Sequence, residues 1–265
     1  MNKIGILGFG NMGEAILKGI IKKHPDSEIT VFDKSEVKLK RSVSVYRAAA
    51  AESIKELFSV SDTVILAIKP QDTDAFLKEI SGYSKSKNII SVITGKATGL
   101  FADSLKTANI CRFVPNIAAQ CGKAMTALSF HDTADEGFIP EAVEIAESFG
   151  KAVIIPEKLM PAFTAISGSG IAFVFQFIHA MAMGGVRAGF TYTESINIAL
   201  SAAEGAVETI KSSGINPADL VTAVASPSGT TIEGLRILEG SGFNAAVMDA
   251  VYASYRRAAE IEESY

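Results

Sequence analysis

Short apolar runs alternate with amphipathic segments through the first 155 residues. KIGIL, EITVF, TVILAI, NIISVI and AVIIP are β-type runs, each bounded by turn or helix signals. Parallel strands cannot be joined by tight hairpins, so this alternation predicts a parallel sheet with crossover helices. Beyond Pro156 the β signal stops, and the spacing predicts helices over roughly 171–188, 192–212, 217–225, 230–240 and 243–263. Thr191 with Glu194 and Thr230 with Glu233 fit the capping-box pattern, and Asn216-Pro217 places a cap residue before a first-turn proline. Gly189, Gly214, Gly240 and Gly242 supply the stops. The expectation is an α/β domain over 1–155 followed by an all-helical domain over 156–265.

Charge sharpens that division. Residues 1–155 hold 19 basic and 18 acidic side chains, whereas 156–265 hold 6 and 11. The net charge of −4 gives no electrostatic reason to expect nucleic acid or an anionic membrane as partner. Two cysteines, Cys111 and Cys121, exclude a disulfide framework, and two buried free thiols are expected. His24, His131 and His179 show no paired spacing, so no metal is expected. The chain opens on a strand rather than an export signal, and its longest apolar stretch, Ile171 to Met183, is 13 residues with Gln176 and His179 inside it. That is short for a membrane span and reads as a buried helix in a cytoplasmic protein.

The most specific motif is Gly8-Phe9-Gly10-Asn11-Met12-Gly13, between the strand KIGIL and the helix AILKGIIKK. In that setting Gly8 makes the tight turn, Gly10 lets backbone approach a pyrophosphate, and Gly13 lets helix and strand pack closely. A second strand ends in Asp33, twenty residues after Gly13, completing a Rossmann-type dinucleotide fingerprint. Asp33 is placed to accept from the adenosine ribose and to favour NAD, whereas Lys34, with Ser35 and Lys38, suits a 2′-phosphate if Asp33 turns away. The motif is compatible with NAD and with NADP. Ala67-Ile68-Lys69-Pro70 ends the strand TVILAI, where ligands of open α/β sheets bind, which makes Ala67, Lys69 and Pro70 cofactor-site candidates.

Two glycine-hydroxyl segments in the helical part are expected to open helices: Ser167-Gly168-Ser169-Gly170 and Ser226-Pro227-Ser228-Gly229-Thr230-Thr231. Backbone N–H groups at a positive helix end suit a carboxylate or phosphate, so the pair suggests a small anionic substrate.

With these segments in order, together with RFVPNIAAQCGKAMTAL (112–128) and VASPSGTTIEGLRILEGSGF (224–243), the chain resembles the pyrroline-5-carboxylate reductases over essentially its whole length. The resemblance implies reduction of a cyclic imine acid to proline with NADH or NADPH. It also implies a helical domain that intertwines with a second subunit, and dimers often assembled into rings. It places Pro115-Asn116 near the nicotinamide. Compared with the family pattern, Ser228 stands where a glycine is usual, Pro161 and Ile171 replace Asp and Pro, Val221-Thr222 replace Lys-Asp, and His179 replaces Glu; the last reads as a core histidine.

Reducing such an imine needs a hydride donor, a proton at nitrogen and a carboxylate anchor. The expectation is that Gly229 and Thr230 N–H groups hold the carboxylate and that Thr231 is the catalytic residue, hydrogen-bonding the imine nitrogen. Ser167, Ser169 and Ser226 are further substrate-binding candidates. β-Hydroxyacid dehydrogenases share the GFGNMG opening, but their lysine has no counterpart in Ile171–Val186. A reductase of a six-membered ring and a non-catalytic NAD(P)H sensor are the other readings. Apolar residues on several faces of 171–188 also call for a second copy of the chain.

Overall fold

The computed structural model describes residues 3–107 and 109–264. They form two compact units, one running to Gly168 and rejoined by the chain from Tyr255, the other covering Ser169–Ser254. The expected boundary after 155 falls instead at the end of the last strand, 13 residues before the units divide.

In the first unit the elements are β1 Ile4–Leu7, α1 Asn11–Lys23, β2 Ile29–Phe32, α2 Glu36–Tyr46, β3 Ala49–Ala50, α3 Ile54–Val60, β4 Thr63–Leu66 and α4 Thr73–Ile80. They continue with β5 Asn88–Ser91, α5 Thr98–Leu105, β6 Ile110–Val114, β7 Ala124–Phe130, α6 Phe138–Glu147, β8 Gly150–Ile154 and α7 Met160–Phe163. The strands form one sheet in the order β3-β2-β1-β4-β5-β6-β7-β8. All neighbours are parallel except β6 and β7. Only residues 115–123 join those two, which is too short for a parallel crossover, so the chain turns back.

Both faces of the sheet are covered. Ile4 and Ile6 of β1 pack with Ile16, Leu17 and Ile20 of α1 and with Ile145 of α6. Leu7, Val64 and Leu66 point the other way, onto Leu57 and Phe58 of α3, Phe76 of α4 and Phe101 of α5. The five expected strands are all present as β1, β2, β4, β5 and β8. The three additional strands carry weak signals: β3 is two exposed alanines, β6 buries Arg112, and β7 buries Thr126 and Ser129 among its apolar positions.

The second unit contains α8 Gly170–Arg187, α9 Tyr192–Ser213, α10 Pro217–Val224, α11 Thr230–Gly240 and most of α12 Phe243–Glu263. These bounds lie within two residues of the sequence expectation. Thr191 and Glu194 close a reciprocal capping box on α9, and Asn216 accepts from Ala218 N–H at 2.9 Å to open α10. The second expected capping box is not formed. Gly229, not Thr230, is the cap of α11, and Glu233 turns instead to Arg236 at 3.3 Å. The close seam in this unit is between α8 and α9, where Ser195 Oγ donates to Ala182 O at 2.7 Å. Gly185 permits it, since a Cβ there would stand 2.0 Å from Ser195 Oγ.

The Ser167–Gly170 segment does not open a helix. Residues Thr164–Ser169 form a π-helical turn between α7 and α8, so the backbone stays helical from Glu157 to Arg187. The N–H groups there lie inside a helix rather than at its positive end. The 31-residue run also contains an 18-residue window of mean hydropathy 1.5, long and apolar enough by composition to cross a membrane, unlike the 13-residue stretch read from sequence.

Candidate active site

The glycine turn sits where the sheet order reverses, between β1 and β4, at the carboxyl ends of both strands. Gly8 has φ +94°, and a Cβ on it would lie 2.5 Å from Ala67 O. At Gly13 a Cβ would lie 2.2 Å from Gly8 O, so α1 can approach the turn this closely only with glycine there. Around Gly10, by contrast, nothing lies within 4 Å of where a Cβ would be. That open space at the N-cap of α1 suits the approach of a pyrophosphate to backbone N–H groups.

A crevice of about 310 Å³ opens beside this turn, lined by Gly8 and Gly10 after β1, Asp33, Lys34 and Lys38 after β2, and Ala67, Ile68 and Lys69 after β4. Ile54, Ala75 and Phe76 give it an apolar wall. Pro70 starts a 3-10 turn, Pro70–Asp72, that leads the chain from β4 into α4. Phe9 and Met12 do not offer side chains to the crevice: Phe9 is buried with its ring edge-on to Tyr46, and Met12 packs on the core. Asn11 lies on the other side of the turn, beside Glu14, Arg41 and Tyr46.

The Asp33 carboxylate is turned toward backbone. Its Oδ2 accepts from Phe9 N–H at 2.6 Å and its Oδ1 from Ser35 N–H at 2.8 Å. Glu14 ties the two helices beside the turn together, accepting from Arg41 Nη2 at 2.7 Å and Tyr46 Oη at 2.8 Å. This carboxylate raises the Arg41 pKa, chiefly through its hydrogen bond to the guanidinium, and burial together with the separate hydrogen bond to Glu14 raises that of Tyr46.

Pro115 and Asn116 follow β6, on the same sheet edge as the glycine turn. Asn116 Oδ1 accepts from Ala118 N–H, while its Nδ2 donates to Ser167 O at 3.2 Å and Ser167 Oγ at 3.1 Å. The Pro-Asn segment and the π-helical turn are thereby joined. Sequence reading missed the residue that anchors this strand. Arg112 is 2% exposed; its Nη2 donates to Glu262, and its Nη1 lies 3.6 Å from Glu157. Glu157 in turn accepts from both the N–H and the Oγ1 of Thr98. A basic residue inside the apolar run ICRFV was the available signal, because a buried guanidinium requires a carboxylate partner.

In the second unit, Ser226–Thr231 forms a turn closed by Gly229 N–H donating to Ser226 O at 3.1 Å. Ser228 has φ +58°, a left-handed conformation that costs a non-glycine residue about 1 kcal/mol or more, so the turn keeps a glycine-like shape with serine in place. Thr230 and Thr231 are exposed in the first turn of α11, which has no side-chain cap.

Several local expectations are corrected. His179 is exposed and its Nδ1 stands 3.2 Å from Tyr192 Oη, so it is not a core histidine of the single chain. Cys111 is buried, which pushes its thiol pKa well up, but Cys121 is exposed. Its position in a short 3-10 turn, Ile117–Cys121, leaves it on the surface. Among the described residues no cluster of three or more His, Cys, Asp or Glu side chains could hold a metal ion.

Residues 157–261 match the family model for pyrroline-5-carboxylate reductase dimerisation, and 3–95 match that for NADP oxidoreductase, coenzyme F420-dependent. A pyrroline-5-carboxylate reductase of Aquifex aeolicus is 36% identical over 261 residues, 98% of this chain and 97% of the relative. The chain belongs to the pyrroline-5-carboxylate reductase family. The structure of the Streptococcus pyogenes enzyme aligns with TM-score 0.88 at 31% identity, covering 97% of this chain and 98% of that one. A Plasmodium falciparum pyrroline carboxylate reductase with NADP bound aligns with TM-score 0.89 at 28% identity, covering 98% of each chain. As a pyrroline-5-carboxylate reductase family member, the chain is an oxidoreductase of the NAD(P)H-using kind, built on a Rossmann-type sheet and a helical dimerisation domain.

Proposed function

We propose that this chain reduces L-1-pyrroline-5-carboxylate to L-proline with NAD(P)H, the last step of proline biosynthesis. The observation that carries this reading is the glycine turn, open at Gly10 and closed at Gly13, in a chain related to these reductases along its full length. Bound in the crevice, the nicotinamide cofactor supplies the hydride. Gly8, Gly10 and the N-terminus of α1 hold its phosphates, Ala67, Lys69 and Pro70 border it, and Pro115 and Asn116 serve its nicotinamide end.

For the substrate we assign the Ser226–Thr231 turn. Gly229 and Thr230 N–H groups at the positive end of α11 hold the carboxylate, with Ser226, Ser167 and Ser169 as further polar contacts. Thr231 Oγ1 accepts from the protonated imine nitrogen and fixes the ring. Because the iminium already carries its proton, the electron pair of the C=N bond passes to nitrogen as hydride adds to carbon. No strong acid is needed, and orientation supplies most of the rate.

The test is oxidation of NADH and NADPH, followed by loss of cofactor fluorescence, on adding pyrroline-5-carboxylate. Rapid oxidation is expected; cofactor binding without oxidation would overturn the reading. Thr231→Ala should lower turnover about tenfold or more, equivalent to one positioning hydrogen bond. Unchanged kinetics in that variant would remove Thr231 from the mechanism.

The same reading gives the helical faces of the second unit to another copy of the chain. Phe175 is 57% exposed and Met248 71%, and α10, α11 and α12 have no buried residue. A helix apolar on several faces needs cover, and the dimerisation-family match supports a second subunit over lipid. We therefore propose a cytoplasmic homodimer, or a multiple of it, with no nucleic-acid or membrane partner. Light scattering should return at least twice the chain mass at micromolar concentration, and a monodisperse monomer would contradict this.

A further inference from the structure

We propose that the crevice selects NADPH over NADH, with Lys34 and Lys38 engaging the 2′-phosphate and Asp33 acting as a positioning residue for the glycine turn. This deepens the nucleotide-binding half of the function proposed above and rests on it.

The acidic residue at the end of the second strand of a dinucleotide fold discriminates by offering its carboxylate to the ribose 2′-hydroxyl and by repelling a phosphate there. Asp33 is engaged otherwise. One oxygen accepts from Phe9 N–H within the glycine turn at 2.6 Å, and the other from Ser35 N–H at 2.8 Å. Charge-assisted bonds of this length hold the group firmly, and the side chain is only 12% exposed. What Asp33 does in this arrangement is brace Phe9, and so the turn between Gly8 and Gly10, against the end of β2.

Its negative charge is also offset. Lys38 Nζ lies 3.8 Å from Asp33 Oδ2 with its side chain half exposed, near enough to neutralise the carboxylate and mobile enough to swing to a ligand. Lys34 lines the same crevice wall. The Ser35 side chain makes no cap bond to α2, although the residue occupies the cap position. The other cations of α2 are engaged with acids, Arg41 with Glu14 and Lys40 with Glu36. The other acids of the crevice, Asp72 and Glu79, come from the β4 side, with Lys69. Among the groups that line the crevice on the β2 side, where the adenosine ribose of this fold lies, the balance is therefore two lysines against one carboxylate that is already bonded to backbone, while Glu36 in the first turn of α2 is outside that lining and paired with Lys40. That wall attracts a dianionic 2′-phosphate.

Direct titration of the full-length protein with NADPH and NADH, and with adenosine 2′,5′-bisphosphate and 5′-AMP, tests this without any imine substrate. A failure of reductase activity and a failure of cofactor selection are thus read separately. NADPH should bind at least tenfold more tightly than NADH, with the bisphosphate favoured over AMP in the same sense and the preference shrinking as salt rises. Lys34→Met and Lys38→Met should each lower the NADPH-to-NADH affinity ratio severalfold, and together at least tenfold. Asp33→Asn should weaken both nucleotides in parallel, leaving the ratio within about twofold. Equal or tighter binding of NADH, a ratio indifferent to both lysine variants, or an Asp33→Asn protein with a raised ratio would each overturn the proposal. The lysines are on the surface, so their variants keep the test available if the Asp33 variant fails to fold.

Discussion

Gly13→Ala should weaken nucleotide binding by about a hundredfold or more and lower the melting temperature measurably. The added methyl would stand 2.2 Å from Gly8 O, and that neighbour is backbone, with no flexible side chain to swing aside. Relief to an ordinary contact requires α1 and the turn to part by about 1 Å, a displacement of the size that costs about a hundredfold when it moves groups built to fit a ligand. Overpacking of this kind costs about 1–3 kcal/mol of stability as well. Gly10→Ala supplies the contrast. Its methyl would meet nothing within 4 Å in the protein, so the fold should keep its melting temperature while the nucleotide loses affinity to direct obstruction. Titration of cofactor fluorescence beside thermal denaturation separates the two effects. A Gly10→Ala protein that binds NADPH like the parent would mean that the phosphates do not approach there.

Arg112→Ala should destabilise the first unit by about 3–5 kcal/mol, the usual range for removing one partner of a buried ion pair. At about 2–4 °C per kcal/mol for a chain of this size, the melting temperature falls by roughly 10 °C. Two terms add. The side chain is 2% exposed in the middle of a sheet, so truncation leaves a cavity, and Glu157 and Glu262 lose the charge that both face. Arg112→Met restores much of the volume but not the charge, and should recover only part of the loss. Urea unfolding followed by circular dichroism gives the comparison; a loss below about 1 kcal/mol for the alanine variant would show that the cluster contributes little. The pair also connects β6 to the last turn of α12, whose residues from Tyr255 onward group with the sheet rather than with the other helices.

How much of this was legible beforehand depends on how local the cause was. β1, β2, β4 and β5 announce themselves because each is a run of apolar residues inside a sheet covered on both faces, the edge strand β8 through its apolar run AVII, and α8 to α12 because capping and 3.6-residue periodicity are local properties. The glycine fingerprint is of the same kind: its spacing encodes a turn in which Gly8 and Gly13 meet steric demands that no other residue meets, while Gly10 leaves the N-cap of α1 open. Where two segments had to be judged against each other, sequence was silent. β7 runs antiparallel because its connection is short. β6 carries a buried arginine whose partners lie 45 and 150 positions away. The Ser167–Gly170 segment reads as a helix start by composition, yet its glycines are absorbed into a π-helical turn, with Ser167 held by Asn116 from another part of the chain.

Asp33 shows the division most clearly. Its place at the end of the second strand, twenty residues after Gly13, is a matter of sequence, and so are the lysines that follow it. Whether its carboxylate faces a ribose or the backbone is set by the distance from Phe9 N–H to that strand end, which exists only once β1 and β2 are paired. Sequence determined five of the strands, the helices of the second unit, the dinucleotide turn and the family, because these follow from residue type and spacing. The tertiary structure decided strand direction, the arginine clamp and the orientation of Asp33, because each depends on groups brought together from distant positions, and hydrogen bonds and charges act only at contact.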